Sequence, residues 1–280
     1  MDRKLEIREL LRLSPEEIIS RAGHKLVVCN DIEALHWRFA EDIAAEIQDN
    51  NRRDQRTVLI LPVGPVGQYP ILANIISERQ ISLADCHFFF MDEYCDDTGK
   101  AVSSNHPLSF KGISHKEFFS RLGPANGLNY ENVYFPDIQN CDEIEKLITD
   151  FGGVDTCYGG IGIHGHVAFN EPQAGIKHTS PRKVRLSDFT LTINAIRSNV
   201  GGNLECFPKD AYTLGMRQIL GAKRIRLYCR NGCDFDWANT ILRIALFGTP
   251  GDDYPVTYIR STNYTLITDH NTLACPKHFI

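Results

Sequence analysis

Two histidines separated by one residue, His164 and His166, precede Glu171 in the glycine-rich stretch GGIGIHGHVAFNEP, residues 159–172. Three chemistries compete for these residue types. Gly160, Gly162 and Gly165 match the GxGxxG spacing of a dinucleotide-binding turn, with Asp188 near the position of a ribose-binding acid. That fingerprint needs a helix starting inside the glycines, whereas Asn170 and Pro172 interrupt the following segment and bulky His164 stands where pyrophosphate must approach.

Two imidazoles and a carboxylate also suit a borderline metal. His164, His166 and Glu171 give the HxHxxxxE spacing of the cupin metal motif, but cupins are all-β barrels and this chain alternates strands with helices. No metal and no other cofactor is therefore expected. The third chemistry is proton transfer on a small ligand. A histidine near a carboxylate can be held in one tautomer and tuned toward neutrality, while glycines such as Gly162 let backbone N–H groups approach ligand oxygens.

A chain of 280 residues with 42% hydrophobic content can bury a large core. Its 30 basic and 35 acidic residues are mixed along the sequence, which argues against a nucleic-acid surface and toward a small-molecule ligand. Nine cysteines, an odd number without CxxC spacing, read as reduced thiols of a cytoplasmic protein. The N-terminal residues lack a signal-peptide pattern, and no apolar run approaches the ~20 residues of a membrane span. Residues 1–24 read as a helical appendage, with Ser14, Pro15 and Glu17 forming a capping box. A single domain is expected over 25–280.

Within that domain, the apolar runs KLVVC (25–29), TVLILPV (57–63), HFFFMDEY (87–94), VDTCYGGIG (154–162), RIRLYC (224–229) and NYTLIT (263–268) read as strands. Helical patterns separate them, at 32–47, 69–78, 113–121 and 141–150. Near-continuous apolar strands alternating with helices predict an α/β, Rossmann-like, doubly wound fold whose mainly parallel sheet is covered on both faces. Ligands in such folds sit at the carboxyl ends of strands, which places 62–67, 91–97 and 160–171 at the site.

Taken together, GIGIHGHVAFNEP, FFFMDEY (88–94), HPLSF (106–110) and LPVGPVGQY (61–69) resemble the glucosamine-6-phosphate deaminase/isomerase family, which shares its fold with 6-phosphogluconolactonases. Weaker similarity runs from about 25 to 270. The resemblance implies ring opening of an amino-sugar phosphate, proton transfer between C2 and C1, and loss of ammonia to leave a ketose phosphate. It implies Asp92 as the carboxylate that moves the carbon-bound proton, His166 as the ring-opening histidine and Glu171 as its support. Members commonly assemble into homo-oligomers, which the resemblance leaves open for this chain.

Three positions depart from the family pattern. The family has an aspartate where His164 stands, and a second imidazole supplies no fixed negative charge to His166, which is expected to titrate lower for that reason. Gly64, Pro65, Val66 and Gly67 replace a hydroxyl-bearing phosphate turn, leaving backbone binding only. Asn231 and Asp234 fall where the family has a lysine turn, and Asp234 would repel phosphate if it faced the same way. Arg197 falls within a residue of a family phosphate ligand near the TLT segment, and Arg230 is a substitute for the lysine by proximity. The departures keep a sugar-phosphate sensor without turnover, and a lactonase, as alternatives to the deaminase.

Overall fold

The structure, a computed structural model, describes residues 2–231 and 237–278. Helices α1 (Arg3–Leu11) and α2 (Pro15–Ala22) lead into β1 (Leu26–Cys29), α3 (Ile32–Arg52), β2 (Thr57–Leu61), α4 (Gln68–Glu78), β3 (Cys86–Phe90) and β4 (Asp92–Tyr94). The middle of the chain forms α5 (Phe110–Glu117), β5 (Val133–Tyr134), α6 (Cys141–Asp150), β6 (Thr156–Gly160), β7 (Arg182–Arg185) and α7 (Asp188–Arg197). It closes with β8 (Asp210–Thr213), α8 (Met216–Leu220), β9 (Arg224–Tyr228), α9 (Trp237–Phe247), β10 (Tyr264–Asp269) and α10 (His270–Leu273).

Seven strands make one all-parallel sheet in the order β1-β10-β9-β6-β2-β3-β5. Successive strand residues point to opposite faces, and the two faces feed separate cores. Val58 and Ile60 of β2 join one core with α6, α8, α9 and Ile18 of α2. Leu59 and Leu61 join the other with α3 and α4. Apolar demand on both faces is why these strands read as unbroken hydrophobic runs, and the arrangement is the expected Rossmann-like, doubly wound α/β fold.

The segment HFFFMDEY, expected as one strand, is two. β3 belongs to the large sheet, while β4 pairs antiparallel with β8, which pairs antiparallel with β7. Met91 is the junction: its N–H donates to Leu61 O at 3.0 Å, and its carbonyl accepts from Leu214 N–H at 2.8 Å. The small sheet and α7 enclose a third core of Tyr94, Phe169, Leu191 and Phe207. Among the described residues no helix is long and apolar enough to cross a membrane.

The capping box at α2 forms as read. Ser14 Oγ accepts from Glu17 N–H at 3.2 Å, and Glu17 accepts from Ser14 N–H at 2.9 Å. Behind it lies Arg243 of α9, which is fully buried. Its guanidinium donates to Leu13 O (3.0 Å), Leu273 O (3.3 Å), Asn239 O (2.9 Å) and Ala274 O (3.2 Å). One buried cation therefore joins the N-terminal helices, α9 and the residues after α10. Replacing it strands carbonyls that water cannot reach. Arg243→Met is expected to lower stability by about 2–4 kcal/mol, read in urea unfolding as a lower midpoint at unchanged slope; an unchanged midpoint would show that the carbonyls find other donors.

Candidate active site

Strand order reverses between β2 and β6, because the chain runs outward from β2 to β3 on one side and from β6 to β9 on the other. A cavity of about 450 Å³ occupies the crevice at the carboxyl ends of these four strands. Its wall takes Val66 from beyond β2, Asp92 from beyond β3, Gly162 and His166 from beyond β6, and Arg230 from beyond β9. Ligand sites of open α/β sheets lie at this kind of switch point.

Asp92 opens β4 and is 7% exposed. Burial raises its pKa well above the usual aspartate value, the neighbouring charge of Glu93 raises it further, and the Phe169 backbone N–H opposes both. Strand alternation sends Glu93 to the other side. There it accepts from the N–H groups of Tyr94 (2.9 Å), Phe110 (2.9 Å) and Lys111 (2.8 Å) and from Ser109 Oγ (2.9 Å). Ser109 is the N-cap of α5, so Glu93 holds the helix that brings Phe110 and Ile113 to the cavity wall. Burial also raises the Glu93 pKa, against these hydrogen bonds.

His166 lies in the cavity wall, 8% exposed. Burial lowers its pKa to about 3, helped by His164 and by Arg197. The expected low titration of His166 thus has two further causes besides the exchanged neighbour. The glycines of the loop serve packing as well as ligand approach. A Cβ on Gly162 would lie 1.9 Å from His166 Nε2, and one on Gly160 would lie 2.7 Å from Gly64 O, so these two positions let the ring and two strand ends close together.

His164 and Glu171 stand behind His166 and outside the cavity lining. The His164 and His166 Nδ1 atoms are 2.9 Å apart, and His164 Nε2 lies 3.3 Å from Ser187 Oγ and 3.6 Å from Glu171 Oε1. Glu171 accepts from Ser187 N–H (2.8 Å), Ser187 Oγ (2.8 Å) and Thr190 Oγ1. Glu171 therefore reaches His166 only through His164, and it also secures the start of α7. The ligand atoms of His164, His166 and Glu171 lie within 4.8 Å of one another.

Gly64, Pro65 and Val66 form a further part of the wall. Gly67 is covered by the His36 ring, whose Nδ1 would meet a Cβ there at 2.3 Å. Arg197, at the end of α7, lines the cavity with its guanidinium 5.4 Å from the Trp237 ring centroid. It is exposed at the end of α7 while contributing to the cavity wall. Arg230 lines the cavity as well, whereas Asn231 turns away to Asn239 (2.6 Å) and Ala238 N–H (3.0 Å). Asp234 lies outside the described residues. Trp237 and Asn194 also line the cavity and escaped the sequence reading. Ser187 had a visible signal, an N-cap serine before the apolar run of α7.

No family model matches the chain. Curated relatives do: a glucosamine-6-phosphate deaminase of Borrelia garinii subsp. bavariensis, for example, is 32% identical over 209 residues, covering 72% of this chain and 74% of the relative. The Caenorhabditis elegans glucosamine-6-phosphate deaminase is 28% identical over 207 residues, with 72% and 74% covered. Among solved structures, a monomeric glucosamine-6-phosphate deaminase superimposes with a TM-score of 0.76 at 24% identity, over 89% of this chain and 98% of that one. The 6-phosphogluconolactonase of Thermotoga maritima superimposes with a TM-score of 0.62 at 18% identity, over 87% and 98%. The fold is that of these structures, and by sequence the chain belongs to the glucosamine-6-phosphate deaminase family.

Proposed function

We propose that this protein converts an amino-sugar phosphate of the glucosamine-6-phosphate type into a ketose phosphate and ammonia. The observation that carries this reading is the pairing of Asp92 and His166 in one cavity whose wall also holds Arg197 and Arg230. A carboxylate shielded from water is poised to take a proton from carbon and return it to the adjacent carbon. In this reading Asp92 moves the proton between C2 and C1, and His166 exchanges protons with the sugar oxygens during ring opening. Arg197, Arg230 and the backbone of Gly64, Pro65 and Val66 receive the phosphate.

A sensor without turnover would gain nothing from a buried carboxylate beside a second carboxylate, an arrangement that costs stability. A lactonase would make no use of Asp92 as a carbon base. Buried free thiols at Cys86, Cys157 and Cys229 suit a reducing, cytoplasmic setting for the reaction.

Ammonia and ketose phosphate are expected from glucosamine-6-phosphate, with galactosamine-6-phosphate and plain hexose phosphates as comparisons. Asp92→Asn should lower kcat by about 10²–10⁴-fold. Well-folded protein that turns over none of these substrates overturns the reading.

The pH profile gives a second measurement. Asp92 works ionised, so its raised pKa sets the acid limb of kcat/KM above the ordinary aspartate range. Glu93→Gln removes the charge that raises it, and the limb is expected to move to lower pH even if the weakened α5 cap reduces the plateau. A limb that stays in place would show that Glu93 does not act on the titrating group.

A further inference from the structure

Hydrogen bonding through His166, His164, Ser187 and Glu171 fixes where the protons lie. The 2.9 Å contact between the two Nδ1 atoms holds a single proton, on one ring or the other. The far side of His164 decides which. Its Nε2 faces Ser187 Oγ at 3.3 Å and Glu171 Oε1 at 3.6 Å. Ser187 has one hydroxyl proton, and the carboxylate takes it at 2.8 Å, the shorter contact and the charged acceptor. Ser187 Oγ is then an acceptor, receiving Thr190 N–H at 3.4 Å.

With only acceptors before it, His164 Nε2 carries that ring's hydrogen, and the neutral ring leaves Nδ1 bare. The shared proton therefore belongs to His166. His166 Nε2, against Gly162 in the cavity wall, is left as a lone pair.

We propose that His164 is a positioning residue which, anchored by Ser187 and Glu171, keeps His166 in the Nδ1–H tautomer and accepts that proton when His166 Nε2 takes one from the sugar. The proposal rests on the ring-opening role given to His166 above. The anomeric hydroxyl passes its proton to His166 Nε2, and the Nδ1 proton crosses to His164 Nδ1. Positive charge then sits on His164 beside Glu171, and not on His166, where Arg197 opposes it. As the bond from C1 to the ring oxygen breaks and the C1 carbonyl forms, Nε2 returns its proton to that oxygen and His164 returns the other to Nδ1. Proton count and charge are unchanged over the cycle. The aspartate that the family motif has at position 164 is absent here, and Glu171 acts through the imidazole that replaces it.

Long-range ¹⁵N–¹H correlation spectra of histidine-labelled, substrate-free protein near neutral pH read the tautomers directly. Expected are a bare Nε2 on His166 and a bare Nδ1 on His164; a protonated Nε2 with bare Nδ1 on His166 overturns the proposal. His164→Asp restores a direct carboxylate acceptor, so His166 should keep its tautomer, titrate at higher pH and retain kcat within a few-fold. His164→Leu removes the acceptor; His166 should become a tautomer mixture, and kcat/KM should fall about 10–100-fold, as for other partners that orient a working histidine. Unchanged tautomer and rate in folded His164→Leu overturn the proposal even if the wild-type spectrum agrees. Absence of turnover in wild-type protein showing the expected tautomers would count against the deaminase reading alone.

Discussion

The site depends on one residue whose backbone is shared by two sheets. Met91 gives its N–H to Leu61 at the end of β2 and takes the N–H of Leu214 just past β8. Asp92 is the next residue, and its orientation follows from the strand alternation that begins there: Asp92 toward the cavity, Glu93 toward α5. A shift of one residue would exchange the two acids. The histidine loop is referenced to the same strand end. Phe169 N–H donates to Thr213 Oγ1 at 3.0 Å, and Asn170 Nδ2 donates to Leu214 O at 2.8 Å. The acid and the histidine come from segments far apart in sequence, yet both hang on the end of β8.

That arrangement explains why burial dominates the electrostatics. The seam draws Asp92 between two sheets, out of water, and the same packing removes water from His166. Both groups are pushed toward their neutral forms, one upward and the other downward in pKa. Glu93 is buried too, but three hydrogen-bond donors at the start of α5 and the N–H of Tyr94 satisfy it. Its charge reaches Asp92 while its own oxygens are occupied elsewhere. The difference in hydrogen bonding separates two adjacent carboxylates into one that faces the cavity and one that anchors α5.

The large sheet was legible because strands covered on both faces must be apolar throughout, as TVLIL and HFFF are. The small sheet was not. β7 reads RKVR with alternate exposure, and β8 is the four-residue DAYT; an edge strand with charged residues resembles a loop when only hydrophobicity is followed. For the same reason HFFFMDEY looked continuous, since apolar residues cross the seam without a break. Asp92, His166 and Arg197 were placed by motif and lie together in the cavity. Trp237 was invisible because its place depends on tertiary packing across the sheet. The partner that gives His164 its meaning, Ser187, is 23 residues away along the chain.

Departures from the family motif fall in loops at strand ends, and the strands that position those loops remain. At the end of β6 an imidazole stands in the usual place of a carboxylate, and Glu171, the other acid of the motif, lies behind that imidazole, 3.6 Å from His164 Nε2. At the end of β9, Asn231 is committed to the start of α9, and the preceding residue, Arg230, takes a place in the wall. A rigid sheet makes such exchanges workable, because strand ends fixed by backbone hydrogen bonds hold their neighbours in place while a side chain from the next position reaches the same space.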